Sequence, residues 1–161
     1  MSTFAVTIQS RVYTVETLTN DDVPANSTVT HSQYDVLTNL SASTTPNVDT
    51  AAFETFTLSS GSATIDLTAL TLNGAAVSLS AKQPRALHIK NTGSNSMTIA
   101  KGASNGYTGL GSSFSITLAA GAGVLIDWPN DNSTAVSGSV KTLDVTGTGT
   151  DTLQLSVVAG T

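Results

Sequence analysis

Along most of this chain apolar side chains recur at every second position, and that spacing admits one kind of element. Successive side chains of a strand point to opposite faces, so a period of two buries one face and leaves the other wet. Phe4, Val6, Ile8 and Val12 alternate with Ala5, Thr7 and Gln9, predicting a first strand to about residue 15. Thr19-Asn20-Asp21-Asp22-Val23-Pro24-Ala25-Asn26 has the residues of a loop. A second stretch, Val29 to Leu40, carries Val29, Tyr34, Val36 and Leu40 with looser alternation, and residues 41–50 read as an extended connection.

From Phe53 the pattern sharpens. Phe53–Leu58 and Ala63–Leu70 are strand-rich runs parted by Ser59-Ser60-Gly61-Ser62. Leu72 and Val77–Leu79 flank Asn73-Gly74, the strongest short hairpin signal a sequence offers. Leu87 and Ile89, then Met97 and Ile99, then Phe114, Ile116 and Leu118 each alternate with polar or small residues. Val124–Trp128 is an apolar run interrupted at Asp127 and closed by Pro129-Asn130-Asp131-Asn132. Leu143 and Val145 precede a Gly-Thr-Gly-Thr turn, which leads into Leu153, Leu155 and Val157. Val48, Ala52 and Phe56 touch a helical spacing, but Thr50, Thr55 and Thr57 favour strand, leaving room for one short turn at most. Strands at roughly 8–12-residue spacing with Gly and Asn turns imply an all-β antiparallel sandwich or jelly roll. The expected organisation is an extended N-terminal segment, residues 1–50, on or beside a sandwich core of residues 51–161.

Composition narrows the chemistry. Charged residues make up 11% of the 161 positions, against about 25% in an average domain, with Ser, Thr, Asn and Gly in their place. A polar, nearly neutral surface costs little to desolvate under a partner, although Thr-rich faces also suit strands that no partner covers. There is no cysteine, which excludes disulfides, thiolate metal sites and Cys nucleophiles. Met1-Ser2-Thr3-Phe4 lacks the charged start of a signal peptide, and no run is long and apolar enough to span a bilayer as a helix. Both point to a soluble chain made in the cytoplasm. The net charge of −5 argues against nucleic-acid binding. Charge is unevenly spread, however. Lys82, Arg85, Lys90 and Lys101 fall in a stretch without Asp or Glu, while Glu16, Asp21, Asp22, Asp35, Asp49 and Glu54 crowd the first third. The basic stretch reads either as a contact for an acidic partner or neighbouring copy, or as solvated lysines on strand faces.

Each candidate for catalysis or ligand binding has an ordinary competitor. Gly102-Ala103-Ser104-Asn105-Gly106 matches the Gly-x-Ser-x-Gly nucleophile elbow, which needs a helix after the serine. Tyr107-Thr108-Gly109-Leu110-Gly111 follows and cannot start one, and both histidines, His31 and His88, precede Ser104 rather than follow it. A loop between strands is the better reading. The glycines 106, 109 and 111 lack the Lys-Ser/Thr of a phosphate loop. His31, Asp35 and His88 would need to converge to hold a metal, and Asp21-Asp22 lacks calcium-loop spacing, so no metal or cofactor is expected. Trp128, with Tyr107, offers an aromatic platform for a sugar ring, against the alternative that Trp128 fills one end of the core. The sequons at Asn26, Asn39 and Asn132 carry no weight without a secretory signal.

Four phrases carry a resemblance: Ala63-Thr64-Ile65-Asp66-Leu67-Thr68-Ala69-Leu70, Ala86-Leu87-His88-Ile89-Lys90-Asn91, residues Thr98 to Tyr107, and the segment Lys141-Thr142-Leu143-Asp144-Val145-Thr146-Gly147-Thr148-Gly149. Together they resemble small structural proteins of tailed bacteriophages and prophages, well over residues 53–161 and loosely before. The resemblance implies a non-enzymatic virion component: a jelly-roll cement or decoration protein, commonly trimeric, bound to the major capsid protein on the outer capsid. Neck, tail or receptor-binding fibre component is the alternative. On this reading the partner contacts would fall on Lys82, Arg85, Lys90, Lys101 and Trp128, with residues 1–50 as an arm.

Overall fold

A computed structural model describes residues 5–18, 27–128 and 133–161, the side chains of residues 10–36 excepted. The expected loop at 19–26, with Asp21-Asp22, and the Pro129–Asn132 turn lie outside the described residues. Two compact units are present: Thr7–Asn39, and Met1–Val6 together with Leu40–Thr161.

The smaller unit is built on two long paired strands, β1 (Ala5–Leu18) and β2 (Ser27–Ser41). Near its base Thr7 Oγ1 donates to Asn39 Oδ1 at 2.8 Å.

The larger unit is an antiparallel β-sandwich. Its strands are β3 (Thr50–Thr57), β4 (Ser62–Asp66), β5 (Leu70–Leu72), β6 (Ala75–Val77), β7 (Gln83–Asn91), β8 (Met97–Lys101), β9 (Ser115–Leu118), β10 (Gly123–Asp127), β11 (Thr142–Thr146) and β12 (Thr152–Gly160). One four-stranded sheet has the order β10-β7-β12-β3 and the other β4-β11-β8-β9, while β5 and β6 form a small hairpin. Pairing is nested: β3 with β12, β4 with β11, β7 with β10 and β8 with β9, all antiparallel. The chain from β3 to β12 thus winds like one long hairpin folded over on itself.

Alternation explains which face each strand buries. Leu87 and Ile89 of β7 and Leu153, Leu155 and Val157 of β12 turn inward from the first sheet. Ile65, Met97, Ile99, Leu118, Leu143 and Val145 meet them from the second. Burying such side chains stabilises the fold by roughly 1.5–3 kcal/mol each before entropy is counted.

The structure departs from the sequence reading at residues 40–50, which belong to the sandwich unit rather than to an N-terminal segment, and at one strand run. Ala63–Leu70 is not one strand: β4 stops at Asp66, whose Oδ1 accepts from the Thr68 backbone N–H at 2.8 Å and the Thr68 hydroxyl at 2.6 Å. That local turn outcompetes the ladder. The Asn73-Gly74 hairpin forms as expected, closed by Leu72 opposite Ala75, with φ of 51° and 82° at its two turn residues. Positive φ at both positions suits a turn whose twist matches that of the flanking strands. Glu54 Oε2 accepts from the Thr71 backbone N–H at 2.9 Å, tying this hairpin to β3.

Candidate interaction surface

The five residues singled out for partner contact do not gather in one patch. Lys82, just before β7, is ion-paired with Asp49 at 2.7 Å. Arg85, a little further along the chain, is 0% exposed, so the structure keeps it off the surface. Its guanidinium donates to Gln83 Oε1 at 3.0 Å and to the Asn47 carbonyl at 3.3 Å, binding the 42–49 loop to the sheet. Lys90 is exposed near the far end of β7, about 26 Å from Lys82 at strand rise. Lys101 ends β8 in the other sheet. Trp128 is partly buried against the core and its backbone N–H donates to the Arg85 carbonyl at 2.8 Å.

The candidate chemical motifs resolve into scaffolding. Ser104 lies in a turn clamped onto β11, and it is its backbone carbonyl, not its hydroxyl, that Thr142 Oγ1 engages. The Thr142 carbonyl accepts from Gly102 N at 3.0 Å and Tyr107 N at 2.8 Å, while Asn105 O accepts from Lys141 N and Thr142 N. Glycine is required at 102, since a Cβ there would collide with the Thr142 side chain. Tyr107 is fully buried, its hydroxyl donating to the Thr134 carbonyl at 2.9 Å, and burial pushes its phenol well above the ordinary value. It presents no face to a sugar. His88 stands on the first sheet; His31 belongs to the smaller unit, where its side chain is not described. Among the described residues no three of His, Cys, Asp and Glu gather to hold a metal ion.

Three carboxylates fasten loops. Burial would raise the Asp49 carboxyl, but hydrogen bonds from Lys82 and Thr50 and the Lys82 charge outweigh it, and the net shift is downward. Asp66 behaves alike, burial opposing Lys141, at 2.6 Å, and Thr68, again with a net lowering. Asp151 is lowered by hydrogen bonds from Asn95 and Ser94 that lock the turn after β11 to the turn after β7.

What remains is a contrast between two outer faces. On β4-β11-β8-β9 the register aligns Ser62, Thr146, Thr98 and Thr117 in one cross-strand row, and Thr64, Asp144, Ala100 and Ser115 in the next. These groups largely satisfy one another. The Thr98 and Thr117 hydroxyls bond at 2.9 Å, Thr64 donates to Asp144 Oδ1 at 2.9 Å, and Asp144 Oδ2 accepts from Ala103 N at 2.8 Å. On β10-β7-β12-β3 the register aligns Leu125, His88, Ser156 and Phe53. Phe53 is 49% exposed and Leu125 38%, with the exposed Lys90 in the adjacent row. The first face has little to gain from cover. The second gains about 25 cal/mol for each Å² of apolar surface removed from water.

Comparisons with protein-family models, with curated proteins and with solved structures each find no match to this chain.

Proposed function

We propose that this chain is a structural component of a tailed-phage particle, a cement or decoration protein that binds the outer capsid as an oligomer and stabilises the shell. The observation that carries this reading is the sandwich face bearing Phe53, Leu125, His88 and Lys90, uncovered beside an opposite face whose hydroxyls already pair. A face of that kind is built to be covered by another protein surface. The nested strand pairing supports a jelly-roll winding for the sandwich, in keeping with the resemblance of residues 53–161.

The paired β1 and β2 add a second argument. Two-stranded ribbons are marginal alone in water, so strands of 14 and 15 residues call for cover. Leu37 on β2 is 56% exposed, an apolar side chain awaiting such a cover. The ribbon is the arm of this reading, reaching a neighbouring subunit or the shell. Several weak legs on one oligomer, most simply a trimer, bind strongly through effective concentration, and bound copies stabilise the shell by mass action.

Quantitative mass spectrometry of purified particles tests the assignment. Hundreds of copies per particle fit a shell protein, a handful would move the chain to neck, tail or fibre, and absence from the particle overturns the reading. Light scattering at tens of micromolar tests the oligomer, and a monomer counts against it. Deleting residues 1–41 should abolish retention on particles, and unchanged occupancy would refute the arm.

A further inference from the structure

The sequence contains two Asn-Gly pairs, Asn73-Gly74 and Asn105-Gly106, and the fold treats them in opposite ways. We infer that Asn73 is a site of spontaneous covalent modification, closing to a succinimide and opening to aspartate and isoaspartate, while the fold protects Asn105. The chemistry needs no enzyme. The Gly74 backbone nitrogen, losing its proton to solvent base, attacks the Asn73 side-chain carbonyl carbon, and the amide nitrogen leaves as ammonia. Water then adds to either carbonyl of the five-membered ring. Opening at one leaves an ordinary aspartate in place of the asparagine, and opening at the other routes the backbone through the side-chain carboxyl. The only co-reactant is water, and no electrons change hands.

Three features expose Asn73 to this reaction. Both residues are exposed, and nothing lies within 4 Å of the place a Cβ on Gly74 would occupy, so no neighbouring group encloses the side of the turn on which that Cβ would stand. The strands that hold the turn, β5 and β6, are only three residues each, a ladder short enough to open locally and let the amide rotate into line. Among the described residues, none makes a side-chain or loop hydrogen bond to Asn73 or Gly74 that must break first. Asn105 has the same neighbour and a similar φ of 53°, yet a different setting. Its carbonyl accepts from Lys141 N at 2.7 Å and Thr142 N at 3.0 Å, and Gly106 bridges to Thr142. A Cβ on Gly106 would strike the Gly102 carbonyl, so the backbone there is enclosed. Turning the Asn105 amide onto the Gly106 nitrogen would require undoing this clamp.

Conversion at Asn73 adds a negative charge to a chain already at −5, and the isoaspartyl form inserts an extra backbone atom into the hairpin tip. A protein held for long periods in an assembly would accumulate this change copy by copy. The inference holds whether or not the chain belongs to a particle.

Peptide mapping of the full-length protein, held folded in mildly alkaline buffer at physiological temperature, reads both sites in one sample. The peptide with Asn73 should gain the mass of one amide-to-acid conversion, split chromatographically into aspartyl and isoaspartyl forms, at least about tenfold faster than the peptide with Asn105. In urea the two rates should converge, since unfolding removes the clamp. Asn73→Gln, which moves the carbonyl one atom out of reach of a five-membered ring, should abolish conversion at that position and leave Asn105 as before. Equal rates in the folded protein, faster conversion at Asn105, or an Asn73 inert while folded would each overturn the inference.

Discussion

Asn91 shows how much one side chain can hold when its atoms are all spent. It is fully buried at the end of β7, and its Nδ2 donates to the carbonyls of Asn95 at 2.8 Å, Leu118 at 3.0 Å and Ala119 at 3.1 Å. Its Oδ1 accepts from Gly93 N at 2.9 Å. One amide thus joins the turn after β7 to the turn that follows β9. Asn91→Ala should cost about 1–3 kcal/mol in chemical denaturation at an unchanged m-value, because the buried bond to the Leu118 carbonyl is lost where water cannot replace it. Asn91→Asp should cost more, since a carboxylate can only accept and would face those oxygens. Ser104 is the opposite case. Its place in the turn depends on its backbone carbonyl, so Ser104→Ala should shift the denaturation midpoint by less than about 0.5 kcal/mol equivalent. A larger loss would give the hydroxyl a role that the structure does not.

At the scale of elements, the alternating runs were legible because burial on one face imposes them, and each of β7 to β12 falls on a run the sequence marks out. The Asn73-Gly74 turn was legible for a different reason, since few other residues tolerate left-handed backbone at two successive positions. Gly74→Ala should therefore destabilise the fold by about 1–2 kcal/mol although a Cβ there meets nothing, because the cost is conformational; thermal melts against Gly111→Ala, also at positive φ, check this. Two things stayed hidden. The break at Asp66 depends on a carboxylate capping its own turn, which the apolar pattern of Ala63–Leu70 does not register. The row Leu125, His88, Ser156 and Phe53 could not be foreseen either. Alternation says which residues of a strand share a face, but not which strands are neighbours, and these four positions meet only because the order is β10-β7-β12-β3. The basic stretch is spread out by the length of β7, which separates Lys90 from Lys82 just ahead of the strand and turns Arg85 inward.

Across the whole molecule, charge is used to tie connections while packing holds the core, and acid should separate the two. Asp49 binds the 42–49 loop to the start of β7, Asp66 binds the end of β4 to Lys141 ahead of β11, and Asp151 joins two turns at one end of the sandwich. All three carboxyls titrate below their ordinary range in the folded protein. The unfolded chain therefore binds protons first as pH falls, so this part of the stability is complete above the ordinary carboxyl value and drains away as pH drops through the lowered folded values. Urea midpoints should stay level near neutrality and fall below about pH 4. Asp151→Asn keeps an acceptor oxygen for Ser94 but turns a donor toward Asn95 and removes the charge, so it should lower the neutral midpoint and flatten part of that acid slope. Such ties are at least partly exposed and individually weak, whereas the interleaved leucines, isoleucines and valines of the two sheets carry no charge to titrate. Backbone amide exchange in acid should accordingly rise first at residues 42–49, 66–68 and 93–95, with β7, β8, β11 and β12 protected until global unfolding. Simultaneous loss of protection in core strands and loops at mildly acidic pH would mean that these carboxylates hold up the sandwich itself.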